Sequence, residues 1–269
     1  MNVRLYVPHF SDEWRICNGV KQGGVLSGLF FSVYIDSLLN KITKSKYGCK
    51  LGLINSNIIA YADDIVLLAP SATSLQMLID IANNEAITLK LKFNQNKTKC
   101  MIFRHSGNKS ASLKCFRIGE QPLEFVTTFK YLGYIVQNNL CNSGDINSNR
   151  SKFYFEFNYL LRKFSFANVN VKLFLFKQYC LQFYGSELWF NNRRALTNLK
   201  HFSVGYHKAI KKILGISYHE SNHYACQEAH LLTFEHLINK SKIFGVYRLI
   251  SCPCNFIMKA ADFFSPILL

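Results

Sequence analysis

The sequence predicts an α+β fold, with antiparallel strand pairs and helices interleaved over the first half and helices alone over the second. Three observations predict it. Between Ser27 and Phe103 the apolar pattern runs from helical spacing to a strand pair, back to helical spacing and then to a strand. Residues 114–136 carry turn signals at Gly119–Pro122 and near Gly133, which mark two further hairpins. Beyond residue 149 the segments are rich in Leu, Phe and Tyr with interspersed Lys and Arg, and their spacing is helical.

Residues 3–7 and 13–18 read as two short strands around a turn at Pro8–Asp12. From Ser27 to Ile42 the apolar positions Leu29, Phe30, Val33, Tyr34, Leu38 and Ile42 recur as on one face of a helix. Asn57–Ala69 is an apolar run interrupted by Asp63-Asp64, and its β-branched flanks predict a hairpin with both carboxylates at the tip. Ser74 is expected to cap a second helix whose inner face carries Leu75, Leu78, Ile79, Ala82 and Ala86. Thr98–Phe103 follows as a strand. The polar stretch Gln137–Asn149 reads as a linker, so the expected organisation is 1–136, a linker at 137–149, and a helical region at 150–269. Helices are expected around 151–164, 169–189, 196–214 and 224–251.

A chain of 269 residues with 49% hydrophobic content buries a real core. Its 32 basic and 16 acidic side chains give a net charge of +16. The excess is uneven: +6 over residues 1–145 and +10 over residues 146–269. Such a field attracts polyanions, nucleic acid first among them. Nine scattered cysteines, an odd number, and a polar amino terminus without a signal-peptide pattern predict free thiols in an intracellular protein, in the nucleus or cytoplasm. The two longest apolar stretches are broken by Asp36 and by Asp63-Asp64, so no membrane span is expected.

The sharpest chemical feature is Tyr61-Ala62-Asp63-Asp64. Carboxylates inside an apolar strand pair are costly unless a turn brings them to solvent or a cation satisfies them. Paired Asp residues at a turn suit Mg²⁺, a hard cation that takes oxygen ligands. They also suit phosphoryl transfer at two ions about 3.5–4 Å apart. An ordinary surface turn uses the same residue type. Upstream, Gly19-Val20-Lys21-Gln22-Gly23-Gly24-Val25-Leu26-Ser27 leads into the first amphipathic helix. Glycines there let a backbone approach a ligand, and a helix amino terminus favours an anion. Downstream, Asn94-Gln95-Asn96-Lys97-Thr98-Lys99 closes the second helix, and Lys97 is a candidate proton donor to a departing pyrophosphate. A solvated basic loop is the plain alternative.

Taken in order, these segments resemble a known family. Gly19–Leu38, "GVKQGGVLSGLFFSVYIDSL", resembles the Gln-Gly helix motif of reverse transcriptases. Tyr61–Asp64 resembles their Tyr-x-Asp-Asp box, Asn94–Thr98 their Asn-x-x-Lys-Thr motif, and Phe129–Gly133 their Tyr-Leu-Gly primer grip. Tyr184–Trp189 and Lys211–Ile216 look like the thumb of non-LTR retrotransposon enzymes. The resemblance implies a polymerase palm followed by an α-helical thumb. It also implies RNA-directed DNA polymerisation on an RNA template and DNA primer, with deoxynucleoside triphosphates and two Mg²⁺ ions. Asp63 would be a metal ligand, with Asp64 a lesser contributor. Gln22, Gly23 and Gly24 would border the template and the nascent base pair. Lys97 would approach the triphosphate, and Tyr131, Leu132 and Gly133 would support the primer end.

Two departures qualify the resemblance. The family's first catalytic Asp lies on a strand well before the Gln-Gly motif, and only 18 residues precede Gly19. Asp12 matches no such motif. The expectation is therefore a palm lacking that strand, from a 5′-truncated element or an incomplete gene model. Its metal site would be incomplete, it would be inactive in isolation, and an unpaired sheet edge beside the Asp63 hairpin would favour aggregation. Gly28 also stands where the family has Pro, which loosens the expected helix entry.

Other signals are weaker. His219, His223, Cys226 and His230 on one helix would span about 16 Å of axis, too far for one zinc ion. Cys252-Pro253-Cys254 has the wrong spacing for a zinc knuckle. Phe153, Tyr154, Phe155, Phe157 and Tyr159 are expected in the core. The competing functional reading is a non-catalytic nucleic-acid-binding protein derived from a retrotransposon.

Overall fold

Residues 2–3, 14–15, 23–52, 54–103, 115–189 and 193–252 are described in the computed structural model. They divide between two compact units, Met1–Thr98 with Ser112–Glu124, and Lys99–Ala111 with Phe125–Leu269.

In the first unit Asn2–Val3 (β1) pairs antiparallel with Trp14–Arg15 (β2). The rest of the strands expected at 3–7 and 13–18, with the Pro8–Asp12 turn, lies outside the described residues. Ser27–Thr43 forms α1. Its expected apolar stripe is divided. Leu38 and Ile42 are buried with Ile35, whereas Leu29, Phe30, Val33 and Tyr34 are 48–68% exposed. Lys50–Leu51 (β3) pairs with Ile54–Asn55 (β4), and Ile58–Tyr61 (β5) pairs with Asp64–Leu67 (β6). Ala72–Thr88 forms α2. Its cap is Ser71, three residues before the expected Ser74. Ser71 is extended after Pro70, and its Oγ accepts from Ser74 N at 3.1 Å. The core joins Leu38 and Ile42 of α1 to Leu78, Ala82 and Ala86 of α2. Ile58, Ile65 and Leu67 of the hairpin pack against it.

Asn57, buried at the base of that hairpin, closes the carboxyl end of α1. Its Nδ2 donates to Ile42 O and Ser45 O, each at 2.9 Å. This satisfies carbonyls that a helix end leaves open. A Cβ at Gly48 would stand 1.9 Å from the Asn57 Oδ1, so only glycine fits beside this plug. Arg117–Ile118 (β8) and Gln121–Pro122 (β9) form the hairpin expected around Gly119. The Gln76 amide of α2 completes its edge, donating to Arg117 O at 2.8 Å and accepting from Arg117 N at 3.0 Å.

In the second unit the strand expected over Thr98–Phe103 shrinks to Lys99–Cys100 (β7). Glu124–Phe125 (β10) precedes a regular hairpin, Thr128–Tyr131 (β11) with Tyr134–Gln137 (β12). The helices are Ser143–Lys163 (α3), Val169–Leu175 (α4), Arg193–Leu214 (α5), Asn222–Glu228 (α6) and Phe234–Ile250 (α7). Polarity made 137–149 read as linker, yet Gln137 ends β12 and 143–149 are the first turns of α3. The side chain of Gln137 explains the early start, because its Oε1 accepts from Gly144 N at 2.8 Å and Ser143 Oγ at 3.2 Å.

Two expected helices are broken. The one over 169–189 gives way to a π-helical turn at Phe176–Cys180 and a 3-10 turn at Ser186–Leu188 after Gly185, φ +77°. The one over 224–251 stops where His230 turns left-handed, φ +50°. There Leu231 N donates to Cys226 O at 2.9 Å and His230 N to Gln227 O at 3.0 Å, the doubled bond of a helix stop. Thr233 then caps α7.

The second core is aromatic. Phe153, Phe176, Trp189, Phe202, Tyr206 and Phe234 are almost wholly buried. Phe153 and Phe157 of α3 point into it as expected. Tyr154, Phe155 and Tyr159 do not; they are exposed, because helical spacing carries them away from the buried face. The buried Lys211 Nζ donates to Tyr218 O and Glu220 O at 3.0 and 2.6 Å, which ties down the loop after α5.

His207 lies against the same core. Its Nδ1 donates to Ser203 O at 2.8 Å, and its buried Nε2 has no hydrogen-bond partner among the described residues. Burial holds its pKa below the ordinary histidine value. Lys211 pushes it the same way, and the Ser203 carbonyl and Glu235 oppose. The unfolded chain therefore takes up this proton at a higher pH than the folded one. The stabilisation is whole above the unfolded pKa of about 6.5 and declines as pH falls from there toward the folded value. The thermal midpoint is expected to drop as pH is lowered from 7 to 5.5, and His207→Gln should flatten that slope. An equal slope in the variant would refute this assignment.

Candidate nucleic-acid and metal site

The β5–β6 hairpin is built to present its tip. Ile58 opposes Leu67, Ile59 opposes Val66, Ala60 opposes Ile65 and Tyr61 opposes Asp64. Alternation turns Ile58, Ile65 and Leu67 toward the helices, and Tyr61 and Asp64 to the other face. Only Ala62 and Asp63 lie between the strands. Ala62 is left-handed at φ +52°, as a tight hairpin turn requires at its first position, at a cost of about 1–2 kcal/mol for a residue with a Cβ. Asp63 and Asp64 are both exposed. Their solvated oxygens suit a hard cation in kind. They fall short in number, since among the described residues no third Asp, Glu, His or Cys joins them in a metal-holding group. The described residues thus do not close a two-metal centre.

Gly23 (φ +78°) and Gly24 stand just before α1, where Gly24 O accepts from Ser27 N at 3.1 Å. Gln22 lies outside the described residues. The first turn of α1 has no side-chain cap and no acidic residue. A Cβ at Gly28 would meet nothing within 4 Å. Lys97 is exposed on a loop wound around Asn94. The Asn94 carbonyl accepts from Lys97 N at 3.1 Å and Thr98 N at 2.9 Å, and the Thr98 hydroxyl donates to it at 2.9 Å. The Asn94 side chain adds a bond of its own, its Oδ1 accepting from Lys97 N at 3.2 Å, so both Asn and Thr at the ends of the motif use their side chains. A polar groove lined by Lys92, Asn94, Gln95, Asn96 and Gln121 runs beside it. Neither Asp63 nor Asp64 forms an ion pair with Lys97.

Tyr131, Leu132 and Gly133 belong to the second unit, at the turn between β11 and β12. Leu132 (φ +46°) and Gly133 (φ +86°) are both left-handed, as in the commonest two-residue hairpin turn. The outer edge of β12 is fastened by a carboxylate that the sequence reading did not single out. Asp145, buried in the first turn of α3, accepts from Ile135 N at 3.0 Å, Trp189 Nε1 at 2.8 Å and Asn149 Nδ2 at 3.1 Å. Asn142 adds bonds to the Tyr134 hydroxyl and to Leu188 O. Burial raises the Tyr134 pKa above its ordinary value, and the Asn142 bond opposes that shift. A lone acidic residue in an Asn- and Ser-rich stretch was the available signal. Its partners became visible only on folding.

Cys49, Cys115, Cys180, Cys226 and Cys252 are free thiols. Cys226 is buried, whereas His219, His223 and His230 are exposed. Pro253 and Cys254 lie outside the described residues. No helix among those described is long and apolar enough to cross a membrane.

Residues 7–136 match the family described as reverse transcriptase (RNA-dependent DNA polymerase). Over those residues the chain is similar to the reverse transcriptases of non-LTR retrotransposons. Over 129 residues it is 38% identical to the Retrovirus-related Pol polyprotein from type-2 retrotransposable element R2DM of Drosophila melanogaster, covering 46% of this chain and 12% of that protein. Over 140 residues it is 29% identical to the Retrovirus-related Pol polyprotein from type-1 retrotransposable element R2 of Nasonia vitripennis, covering 49% of this chain and 14% of that protein. The chain therefore spans less than a fifth of the length of either relative.

Proposed function

We propose that this chain is the palm and thumb portion of an RNA-directed DNA polymerase, which transfers nucleotides from deoxynucleoside triphosphates to a DNA primer on an RNA template. The carrying observation is the adjacent, solvent-facing pair Asp63 and Asp64 at a two-residue turn, inside the stretch that matches the reverse transcriptase family. The family uses divalent metal. In this reading Asp63 is the principal ligand and Asp64 the lesser one. Gln22, Gly23 and Gly24 border the template and the new base pair. Lys97 holds a proton at Nζ for the departing pyrophosphate. Tyr131, Leu132 and Gly133 support the primer end. The +10 charge of residues 146–269 grips the nucleic-acid backbone inside the cell.

Among the described residues no third ligand joins this pair; two carboxylates alone hold divalent metal loosely, and displacement of a reacting group by about 1 Å costs roughly 10²-fold in rate. The 269-residue chain alone is therefore expected not to extend oligo(dT) on poly(rA) with Mg²⁺. Clear incorporation would overturn that expectation. It is expected to bind the primer–template with an affinity that falls steeply with salt. Failure to bind at low salt would sink the polymerase reading itself. Binding without extension also accommodates the second reading, a non-catalytic nucleic-acid-binding protein, which the uneven charge favours.

A further inference from the structure

Two glycine–tyrosine contacts interlock at the β11–β12 turn. The Tyr184 ring lies against Gly133, where an added Cβ would be 3.3 Å from its Cε1. The next residues on each segment repeat the contact in reverse, since a Cβ on Gly185 would be 2.7 Å from the Tyr134 ring. Gly133 and Gly185 are both left-handed, at φ +86° and +77°, so glycine is favoured at each for its backbone as well as for space. Asp145 locks the arrangement by holding Ile135 N and Trp189 Nε1 at once. Tyr134 is half-buried against the core, but Tyr184 remains 62% exposed beside Leu132, which is itself 37% exposed. An aromatic ring that meets the chain along one edge and is otherwise bare contributes little to folding.

We infer that Tyr184 is a nucleic-acid contact, a stacking surface for the terminal base of the primer strand held at the Leu132–Gly133 turn. This rests on the polymerase reading above and adds a binding residue to it. Aromatic stacking suits a strand end because every base offers a π face, whatever the sequence. The two segments, 51 residues apart, thus form one platform: backbone and Leu132 from the hairpin, the ring from the segment before the 3-10 turn.

The test uses the full 269-residue chain and an RNA template with a DNA primer whose 3′-terminal base is 2-aminopurine. Affinity is read separately from a 5′ label. Wild type is expected to quench the terminal 2-aminopurine. Tyr184→Phe should retain the quench and the affinity. Tyr184→Ala and Tyr184→Leu should lose the quench and bind about 5- to 100-fold more weakly, with unchanged melting temperature. Leucine keeps the contact with Gly133 but cannot stack, so it separates packing from ligand contact. Binding by wild type without terminal quenching, or quenching that survives in the Leu variant, overturns the inference and leaves the polymerase reading standing. Absence of any binding by wild type removes that reading, and the inference with it.

Discussion

Phe202→Ala is expected to destabilise the second unit by about 3–5 kcal/mol, the cost of a large cavity at a site that cannot collapse. Phe202 is wholly buried on α5, with its ring 4.9 Å from Phe183, 4.9 Å from Phe234, 5.4 Å from Phe153 and 6.2 Å from Trp189. Those partners come from α3, from the segment after the π-helical turn and from α7. No single backbone shift brings all of them inward, so the void stays open. Urea unfolding followed by the fluorescence of Trp189 measures the loss. Trp14, the other tryptophan, belongs to the first unit. Phe202→Leu retains most of the volume and should cost markedly less. A shift below about 0.5 kcal/mol for the alanine variant, the usual range for surface substitutions, would show that this ring is not where the helical core is held.

Asp145→Ala should cost a similar amount, about 3–5 kcal/mol, by a different route. Removing the carboxylate leaves Ile135 N and Trp189 Nε1 facing a pocket with no acceptor. Each stranded donor costs about 1–3 kcal/mol, on top of the lost charge-assisted bonds. Asp145→Asn is not conservative here. Both carboxylate oxygens receive donors, so an amide nitrogen in either position meets another N–H. The asparagine variant is therefore expected to fall between wild type and alanine. Amide exchange at Ile135 offers a local readout, and it should quicken in both variants along with the fall in stability. Wild-type stability in the alanine variant would mean that the β11–β12 hairpin is fastened by some other contact.

Much of the chain was legible before folding. The boundaries of α1, the hairpin with carboxylates at its tip, the inner face of α2 and the order of the family motifs all follow from spacing within a few residues. Errors arose where a side chain distant in sequence decided the outcome. The stretch 137–149 looked like a linker because its residues are polar. Gln137 and Asp145 use that polarity to start α3 and to fasten β12. The helix expected over 169–189 passes into a π-helical turn that ends at Cys180, and beyond it Gly185 turns left-handed against the ring of Tyr134. The aromatic run in α3 was assigned wholesale to the core, when only one face of a helix can enter it.

The sequence by itself determined the class of protein and the chemical character of its hairpin tip. Turn preferences, helix periodicity and the family motifs act over short spans, and they survive whatever the rest of the chain does. Only the tertiary structure decided that Asp145 reaches Trp189, 44 positions away, and that Tyr184 stands bare against Gly133. Such contacts depend on where the backbone returns in space. Hydrogen bonds and van der Waals contact act over a few ångströms, and no local pattern of residues encodes which distant segments will come that close.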